Sequence, residues 1–449
     1  MTEKTRDLVL RFLKLLNVVL VTVPFAACWY MYFAENIMAP FYRNGNYVFI
    51  LLFPILYITF GRLYEAFKVS MKPVGELIYS QCLSELATNA IMFIMVWLQY
   101  RYFPPVLPLF MVLVVDILIS FIWCPVCARI YYKLNAPKPT AIVYDTRKGL
   151  ENLVSEYGLE KKYDVCLQLS ADECLKNLEQ LLTVKTVFIS GVHSKQRNVI
   201  LKYCIYNDIE VLSIPRVGDV IMSGAKAMHM FHLPMLQVRR YAASPEYLFI
   251  KRMLDIIISL IALILLSPIM LVVAIAIKTN DHGPAFYKQV RLTKDGKKFY
   301  IHKFRSMRVD AEKDGVARLS TGENDDRITP IGKFIRKCRF DELPQLLDIL
   351  SGNLSIVGPR PERPEIAAQY CEEMPEFALR LQAKAGLTGY AQVYGQYNTT
   401  PYDKLLMDLM YIAHPSFVED IKIMAATVKV LFMSDSTEGV EEGKTTAAK

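Results

Sequence analysis

Four long apolar runs fill the first third of the chain and restrict what it can fold into. They cover roughly residues 10–33, 47–60, 83–100 and 106–127. A helix needs about 20 apolar residues to cross the hydrocarbon core of a bilayer, so the second run is marginal. The hydrophobic content of 53% also exceeds what a soluble domain needs. The sequence therefore predicts a membrane protein that begins with a four-helix transmembrane block, residues 1–136.

Lysine and arginine are distributed unevenly around these runs. The N-terminal flank, the loop after the second run and the exit from the fourth run are basic, whereas the other two loops offer only Arg43 and Arg101. Because basic loops stay on the cytoplasmic side of a membrane, both ends of the block are predicted to be cytoplasmic.

Short apolar strands alternate with helical stretches in the next region, residues 137–246. We predict strands in AIVYD, YDVCLQL, TVFISG and IEVLSIP, and helices at residues 149–157, 171–182 and 195–206. This alternation is typical of a parallel sheet of Rossmann type. The turn after the first strand, residues 145–149, has no GxGxxG pattern, which favours a structural or regulatory domain without a dinucleotide.

A fifth apolar run, residues 253–277, is long enough to span a membrane but carries Ser267 and Pro268 near its middle. Proline removes a backbone hydrogen bond and kinks or breaks a helix. Both flanks of the run are basic, so a complete span would leave one basic cluster outside. We therefore predict a re-entrant helix-break-helix that dips in and returns to the same face, with the break at Ser267 and Pro268 and with Ser267 bonding locally. The alternative is a proline-kinked fifth span that places the C-terminal third outside.

Two adjacent carboxylates, Asp341 and Glu342, lie between a basic segment and Leu343-Pro344. Proline suits a first helical turn, so the pair is predicted at a helix N-terminus, where the helix dipole and neighbouring cations favour ionised carboxylates. Such carboxylates can act as a nucleophile or as a metal ligand on a phosphate. Taken alone, the stretch is more simply explained as an acidic first turn beside a solvated basic face.

Four cationic residues of the C-terminal region are candidates for binding phosphate. Thr329 is predicted to cap the helix that carries Arg336, and two prolines rigidly place Arg360, whose planar group suits phosphate. Lys303 and Arg305 lie in KFRSM, after a predicted strand. Each of the four could instead contact a lipid head group or form a salt bridge with a nearby carboxylate.

Two later helical segments, residues 377–385 and 402–432, mix apolar and basic residues as an interfacial helix would. A packed globular face is the alternative explanation for both. The polar tail at residues 436–449 is predicted to be disordered.

Taken together, these motifs resemble the bacterial sugar transferases, also called polyprenyl-phosphate hexose-1-phosphate transferases or monotopic phosphoglycosyl transferases. The resemblance covers about residues 247–432, and the first half resembles the large form of the family only in architecture. The implied fold class is membrane α plus α/β: a four-helix transmembrane block, a Rossmann-like domain and a monotopic catalytic domain, residues 247–435, with the re-entrant helix. The motifs that carry the resemblance are KRMLDIIISL with the later Ser267-Pro268, KFRSM, DELPQL, SIVGPRPERPE and GLTGYAQVYG.

The resemblance implies transfer of a sugar-1-phosphate from a UDP-sugar to undecaprenyl phosphate, with release of UMP, to start a capsule, exopolysaccharide or O-antigen unit. It implies that Asp341 is the nucleophile, through an aspartyl-phosphosugar intermediate, and that Glu342 helps to hold Mg²⁺. The expected partners are these two substrates and membrane lipid, with no nucleic acid, and the large form suggests a homodimer. The expected location is the bacterial inner membrane, with the catalytic domain facing the cytoplasm. A non-catalytic membrane scaffold for polysaccharide assembly enzymes is the alternative function.

Three stretches depart from the family's motifs. Asp348 stands where many members have asparagine, residues 352–354 read Gly-Asn-Leu in place of a common Gly-Asp-Met, and Gln396 stands where arginine is frequent. These positions lie outside the carboxylate pair, so they bear on sugar and nucleotide selectivity more than on the chemistry.

Overall fold

The structure is a computed structural model that describes residues 3–42, 44–241, 243–309, 311, 327–395 and 399–431. It divides into two compact units, Met1–Ile214 and Pro215–Lys449. The tail predicted to be disordered and Gln396 lie outside the described residues.

Four long helices begin the first unit and pack against one another through a core rich in aromatic residues. In this core, Trp29 and Phe49 have ring centroids 4.2 Å apart, and Phe25 stacks on Phe53 at 4.7 Å. All four helices are long and apolar enough to cross a membrane. They are α1 (Glu3–Cys28), which continues into a π-helical turn (Trp29–Phe33), α2 (Gly45–Leu63), α3 (Val74–Gln99) and α4 (Val106–Leu134).

A four-stranded parallel sheet with strand order β2-β1-β3-β4 completes the first unit, which confirms the predicted parallel sheet. Its strands are β1 (Lys138–Tyr144), β2 (Tyr163–Ser170), β3 (Thr186–Ser190) and β4 (Glu210–Ser213), and its helices are α5 (Leu150–Glu156), α6 (Ala171–Lys176) and α7 (Ser194–Tyr206). The helix predicted at residues 171–182 is shorter, because Asn177 leaves the helical region and a 3₁₀ turn, Leu178–Thr183, follows.

The second unit opens with α8 (Val217–Ser223) and a hairpin of β5 (Lys226–Met230) and β6 (Leu233–Gln237) that the sequence did not predict. Its two-residue turn places Phe231 and His232 at φ 55° and 61°. Such turns usually contain asparagine, aspartate or glycine, so their residue signature was missing here.

One long helix, α9 (Pro245–Asp281), contains the fifth apolar run and is also long and apolar enough to cross a membrane. Ser244 caps it by accepting a hydrogen bond from the Tyr247 N–H at 3.2 Å. The break predicted at Ser267 and Pro268 does not occur in this helix, which is continuous through both residues. Pro268 has no N–H to donate to the Ile264 carbonyl. Ser267 Oγ donates to that same carbonyl at 2.9 Å, so the acceptor released by the proline is satisfied locally.

Both halves of α9 pack against other elements of the second unit. In the first half, Arg252 donates to the Ile349 and Leu350 carbonyls at 2.6 and 2.8 Å, and Asp255 accepts hydrogen bonds from the Ser355 hydroxyl and the Ile356 N–H at 2.8 and 3.0 Å. In the second half, four apolar side chains pack with the C-terminal end of β8, α10 and the turn that follows it: Met270, Val273, Ala274 and Ile277. The apolar side chains between these halves, such as Ile264 and Leu265, are exposed.

The remaining elements surround a core that includes Ile349, Leu354, Leu405 and Ile423, all fully buried. The segment predicted as a helix at 377–385 is a 3₁₀ helix, Pro375–Gln382, and the segment at 402–432 forms two helices. In chain order the elements are β7 (Phe286–Leu292), β8 (Lys298–Phe304), α10 (Pro330–Lys337), α11 (Gln345–Leu350), β9 (Ser355–Val357), α12 (Pro364–Glu373), β10 (Gly386–Thr388), α13 (Tyr390–Tyr394), α14 (Pro401–Ala413) and α15 (Phe417–Leu431).

Candidate active site

Asp341 and Glu342 lie in a single 3₁₀ turn, Phe340–Glu342, between α10 and α11. The preceding Arg339 has φ 54°, a left-handed conformation that redirects the chain from α10 into this turn. Thr329 caps α10 by accepting a hydrogen bond from the Gly332 N–H at 2.9 Å, as predicted. Pro344 immediately precedes α11, so the carboxylates lie one short turn before the predicted helix rather than within it.

Two of the predicted cations meet at Glu342. Lys303 Nζ lies 3.0 Å from Glu342 Oε1, and a terminal guanidinium nitrogen of Arg360 lies 3.5 Å from the same oxygen. Burial alone would raise the pKa of Glu342, but Lys303, Arg360 and Arg339 outweigh it and hold the pKa below its usual range. Glu342 is therefore ionised at neutral pH.

The neighbouring Asp341 has its pKa shifted in the opposite direction. Burial raises the pKa of Asp341, and the negative charge of Glu342 raises it further. Lys303, Arg336 and Arg339 act against this shift without cancelling it. Adjacent carboxyl groups whose pKa values separate in this way are suited to different roles, with Asp341 the more basic of the two and Glu342 the one that is charged at neutral pH.

Arg360 lies in the loop that follows β9, and its backbone is held rigidly. Four successive carbonyls of this loop, from Pro359 to Glu362, each accept a hydrogen bond at 2.9 to 3.1 Å. The donors, in the order of their acceptors, are the Gly386 N–H, the Arg380 guanidinium, the Arg291 guanidinium and the Leu292 N–H. The arginine placed by two prolines in the sequence is thus fixed by the surrounding domain as well.

The Arg380 guanidinium that holds this loop is itself buried and anchored by α14. Its Nε and one terminal nitrogen lie 2.9 and 2.5 Å from Asp408 Oδ2, and another terminal nitrogen lies 3.4 Å from Glu362 Oε1. Asp408 is 1% exposed and Arg380 is 4% exposed. The sequence analysis missed this pair, because no local pattern links residues that lie on separate elements.

Arg336 and Arg305 occupy different positions relative to the carboxylates. Arg336 lies in the last turn of α10 and contributes to the positive potential at Asp341. Arg305 is buried, its Nε donates to the Pro284 carbonyl at 2.8 Å, and its guanidinium packs so closely on Gly283 that a Cβ there would lie 2.7 Å away. Arg305 therefore supports the turn after α9, and its contact with phosphate stays a prediction.

Asp348, one of the departures from the family's motifs, secures the strand that carries Lys303. Its two carboxylate oxygens lie 2.8 Å from the His302 N–H and 2.6 Å from His302 Nδ1. Asp348 is buried on α11, so this contact ties α11 to β8 one residue before Lys303. The carboxylate at this position therefore has a structural role beside the site.

The carboxylate oxygens at the site suit a magnesium ion that takes most of its ligands from substrate phosphates and water. Among the residues that the structure describes, no three or more His, Cys, Asp or Glu side chains group to form a metal site. Mg²⁺ is typically held by one or two carboxylates together with substrate phosphates and water. Asp341 and Glu342 provide carboxylate oxygens of this kind, so the residues present fit such an ion.

Comparison with known proteins assigns the region that contains this site to a family. A family model described as bacterial sugar transferase matches residues 246–434. The chain is 36% identical over 234 residues to the UDP-N-acetylgalactosamine-undecaprenyl-phosphate N-acetylgalactosaminephosphotransferase of Aeromonas hydrophila, across 51% of this chain and 54% of that protein. It is 41% identical over 309 residues to the UDP-glucose:undecaprenyl-phosphate glucose-1-phosphate transferase of Klebsiella pneumoniae, across 68% of this chain and 59% of that protein.

The matched region spans little more than half the length of these two relatives. A shorter relative is covered almost entirely: the exopolysaccharide production protein PSS of Rhizobium leguminosarum bv. phaseoli is 40% identical over 201 residues, across 43% of this chain and 98% of that protein. The ordered motifs, the paired carboxylates and these matches agree. The chain belongs to the bacterial sugar transferase family.

Proposed function

We propose that this protein transfers a sugar-1-phosphate from a UDP-sugar to undecaprenyl phosphate, releases UMP and thereby starts the synthesis of a surface polysaccharide. The observation that carries the proposal is the pair Asp341 and Glu342 in one turn, with Lys303 and Arg360 at 3.0 and 3.5 Å from Glu342 Oε1. The names of the relatives in Aeromonas and Klebsiella give undecaprenyl phosphate and a UDP-sugar as substrates.

Asp341 acts as the nucleophile in two successive displacements. Its deprotonated carboxylate attacks the sugar-linked phosphorus of the UDP-sugar, a P–O bond to the leaving UMP breaks, and an aspartyl-phosphosugar forms. A phosphate oxygen of undecaprenyl phosphate then attacks the same phosphorus and releases the carboxylate. Splitting the exchange in this way predicts ping-pong kinetics.

The surrounding cations neutralise the charge that develops on the phosphates. Lys303 and Arg360 already lie beside Glu342, and Arg336 contributes positive potential at Asp341. Glu342 would hold Mg²⁺, which supplies further charge neutralisation on the diphosphate when bound.

We also propose that α9 enters the membrane and returns to the cytoplasmic face. Ala262 and Leu263 pack on the core of the second unit, and contact resumes at Met270. The basic flanks of the apolar run, which lie before and after these contacts, stay on one side of the membrane only if the helix returns. This supports a helix that dips beside the catalytic domain, which would place the site in a bacterial inner membrane within reach of a lipid phosphate.

The test is covalent trapping with a UDP-sugar that carries a label on its sugar-linked phosphate. The wild-type protein in detergent should retain label after denaturation, and D341N should retain none and release no UMP. D295N is the matched control. Asp295 is exposed, and its carboxylate lies 2.8 Å from the Arg240 guanidinium rather than in the carboxylate pair. Full turnover by D341N would refute the assigned nucleophile.

A further inference from the structure

Polar side chains form a continuous buried group where α1 to α4 pack together. Two of them are carboxyl groups, Glu85 on α3 and Asp116 on α4, and both are fully buried. The other members that the argument needs, all 5% exposed or less, are Asn17, Tyr57, Gln81, Asn89 and Ser120.

Among the residues that the structure describes, no positive charge compensates these two carboxyl groups. Their hydrogen-bond partners are neutral, Ser120 for Glu85 and Asn89 for Asp116, and within the described part of the chain no lysine, arginine or histidine forms an ion pair with either. The titratable groups that face Glu85 from the packed helices are Tyr57, Cys82, Asp116 and Cys124, none of which is a cation at neutral pH. A buried carboxylate without a cation is strongly disfavoured, and most of all in a membrane helix.

The protons around Ser120 can be counted. Gln81 Nε2 lies 3.4 Å from the Ala66 carbonyl, which only accepts, so Gln81 Oε1 must be the atom that faces Ser120 Oγ at 2.6 Å. Ser120 Oγ also contacts Glu85 Oε1 at hydrogen-bond distance. A hydroxyl has one proton, which Gln81 takes, so the contact with Glu85 needs a proton from Glu85 itself.

Asn89 independently shows an excess of acceptors at the same place. Its Nδ2 donates to Asp116 Oδ2 at 3.1 Å and to the Glu85 backbone carbonyl at 3.0 Å. Its own Oδ1 is buried without a partner, as are Glu85 Oε2 and Asp116 Oδ1. A group with three unsatisfied acceptors and no spare donor lacks protons.

We propose that this group is a proton-binding site in which Glu85 and Asp116 are both carboxylic acids at neutral pH. Glu85 donates to Ser120, which donates to Gln81, and so joins α3 to α4. Gln81 accepts in turn from Asn17, and Asn17 accepts from the Tyr57 hydroxyl at 2.8 Å, which extends the chain of hydrogen bonds to α1 and α2. The proton on Glu85 thus completes a chain of hydrogen bonds that includes side chains of all four helices.

Infrared difference spectroscopy of the full-length protein in nanodiscs tests the proposal directly. The wild-type protein should show the carbonyl stretch of protonated carboxylic acids, and the intensity should fall in E85Q and again in E85Q/D116N. E76Q is the matched control, because Glu76 on the same helix pairs with Lys72 at 3.0 Å and should contribute no such band. An unchanged band in E85Q/D116N would overturn the proposal.

Thermal unfolding gives a second readout that does not depend on the spectrum. The amide of E85Q imitates a protonated acid, so E85Q should keep the wild-type midpoint at neutral pH and lose less stability than the wild type as the pH rises. A neutral-pH midpoint of E85Q well below that of the wild type would show an ionised Glu85 and contradict the proposal. The wild-type midpoint is also compared in sodium and in choline. A midpoint that is higher in sodium for the wild type but not for E85Q would show that a metal cation occupies the site in place of the proton.

Discussion

Lys303 Nζ lies 3.0 Å from Glu342 Oε1 and joins the end of β8 to the turn that carries both carboxylates. The lysine charge acts on both acids: it helps to keep Glu342 ionised, and it lowers the pKa of Asp341 without cancelling the effect of burial. Lys303 thus stabilises the charged carboxylate, and burial keeps Asp341 the more basic of the two, as the proposed nucleophile requires.

Replacing this lysine should lower activity and shift its pH dependence. In K303M the positive charge that lowers the pKa of Asp341 is lost, so this pKa should rise further. We expect kcat/KM to fall by about 10²- to 10³-fold, the loss typical of removing one group that stabilises a developing charge. The measurement is UMP release as a function of pH.

K298M is the control for this lysine, since Lys298 begins the same strand and is exposed. It should retain wild-type activity and pH dependence. If the acidic side of the pH profile is unchanged in K303M, Lys303 does not influence the titration of Asp341.

The pH profile of the wild-type enzyme should itself report the raised pKa of Asp341. Because the nucleophile must be deprotonated, the rate of covalent labelling should fall as the pH decreases through that pKa. We expect this fall at a pH above about 3.9, the ordinary value for aspartate. Labelling that persists down to the ordinary value, in single-turnover measurements with the protein still folded, would argue against the buried nucleophile.

Arg360 and Arg380 should respond differently to substitution, although they belong to the same loop system. Arg360 has a partly exposed side chain beside Glu342, so R360M should lower kcat/KM while leaving the unfolding midpoint nearly unchanged. R380M leaves Asp408 buried without its cation and should destabilise the protein by about 3–5 kcal/mol. Denaturation curves measured beside UMP release separate the two effects.

A double substitution separates the effect of Arg380 on stability from its effect on the position of the Arg360 loop. R380M/D408L removes both buried charges and should recover part of the stability lost in R380M. Activity that stays low after stability has recovered is the expected result, because the Arg360 carbonyl then lacks its donor. Full recovery of activity would show that this hydrogen bond does not position the loop.

The proposed re-entrant path of α9 predicts that residues on its two sides face the same compartment. Lys226 precedes the helix, Lys298 follows it, and both are exposed. In membrane vesicles, K226C and K298C should react with a membrane-impermeant maleimide from the same side, above the background of the native cysteines. Reaction from opposite sides would establish a complete span.

The parts of the fold that depend on local patterns could be predicted from the sequence. Alternating apolar strands and helices indicated the parallel sheet, and Thr329 with Pro330 marked the start of α10. The β5–β6 hairpin was missed because Phe231 and His232 adopt left-handed conformations that neither residue type favours. Asn177 ended α6 early, although the composition continued to favour a helix.

The candidate site shows the same limit. Asp341, Glu342, Lys303 and Arg360 were identified from short motifs, and the structure brings Lys303 and Arg360 to the same oxygen of Glu342. The supports behind them, such as Arg380 with Asp408 and Arg291 with the Pro361 carbonyl, join positions that are 28 and 70 residues apart. Contacts of this kind arise from tertiary packing and leave no periodic pattern in the sequence.

The immobilised loop around Arg360 has a consequence for the proposed transfer between two chemically different substrates. Hydrogen bonds to the rest of the protein already hold its backbone, so little conformational freedom remains to be lost when a phosphate binds. In the proposed reaction, a nucleotide donor and a lipid acceptor would therefore bind in turn at this one rigid loop. Discrimination between the two proposed substrates would then depend on contacts outside the loop, with the nucleobase for the donor and with the lipid chain for the acceptor.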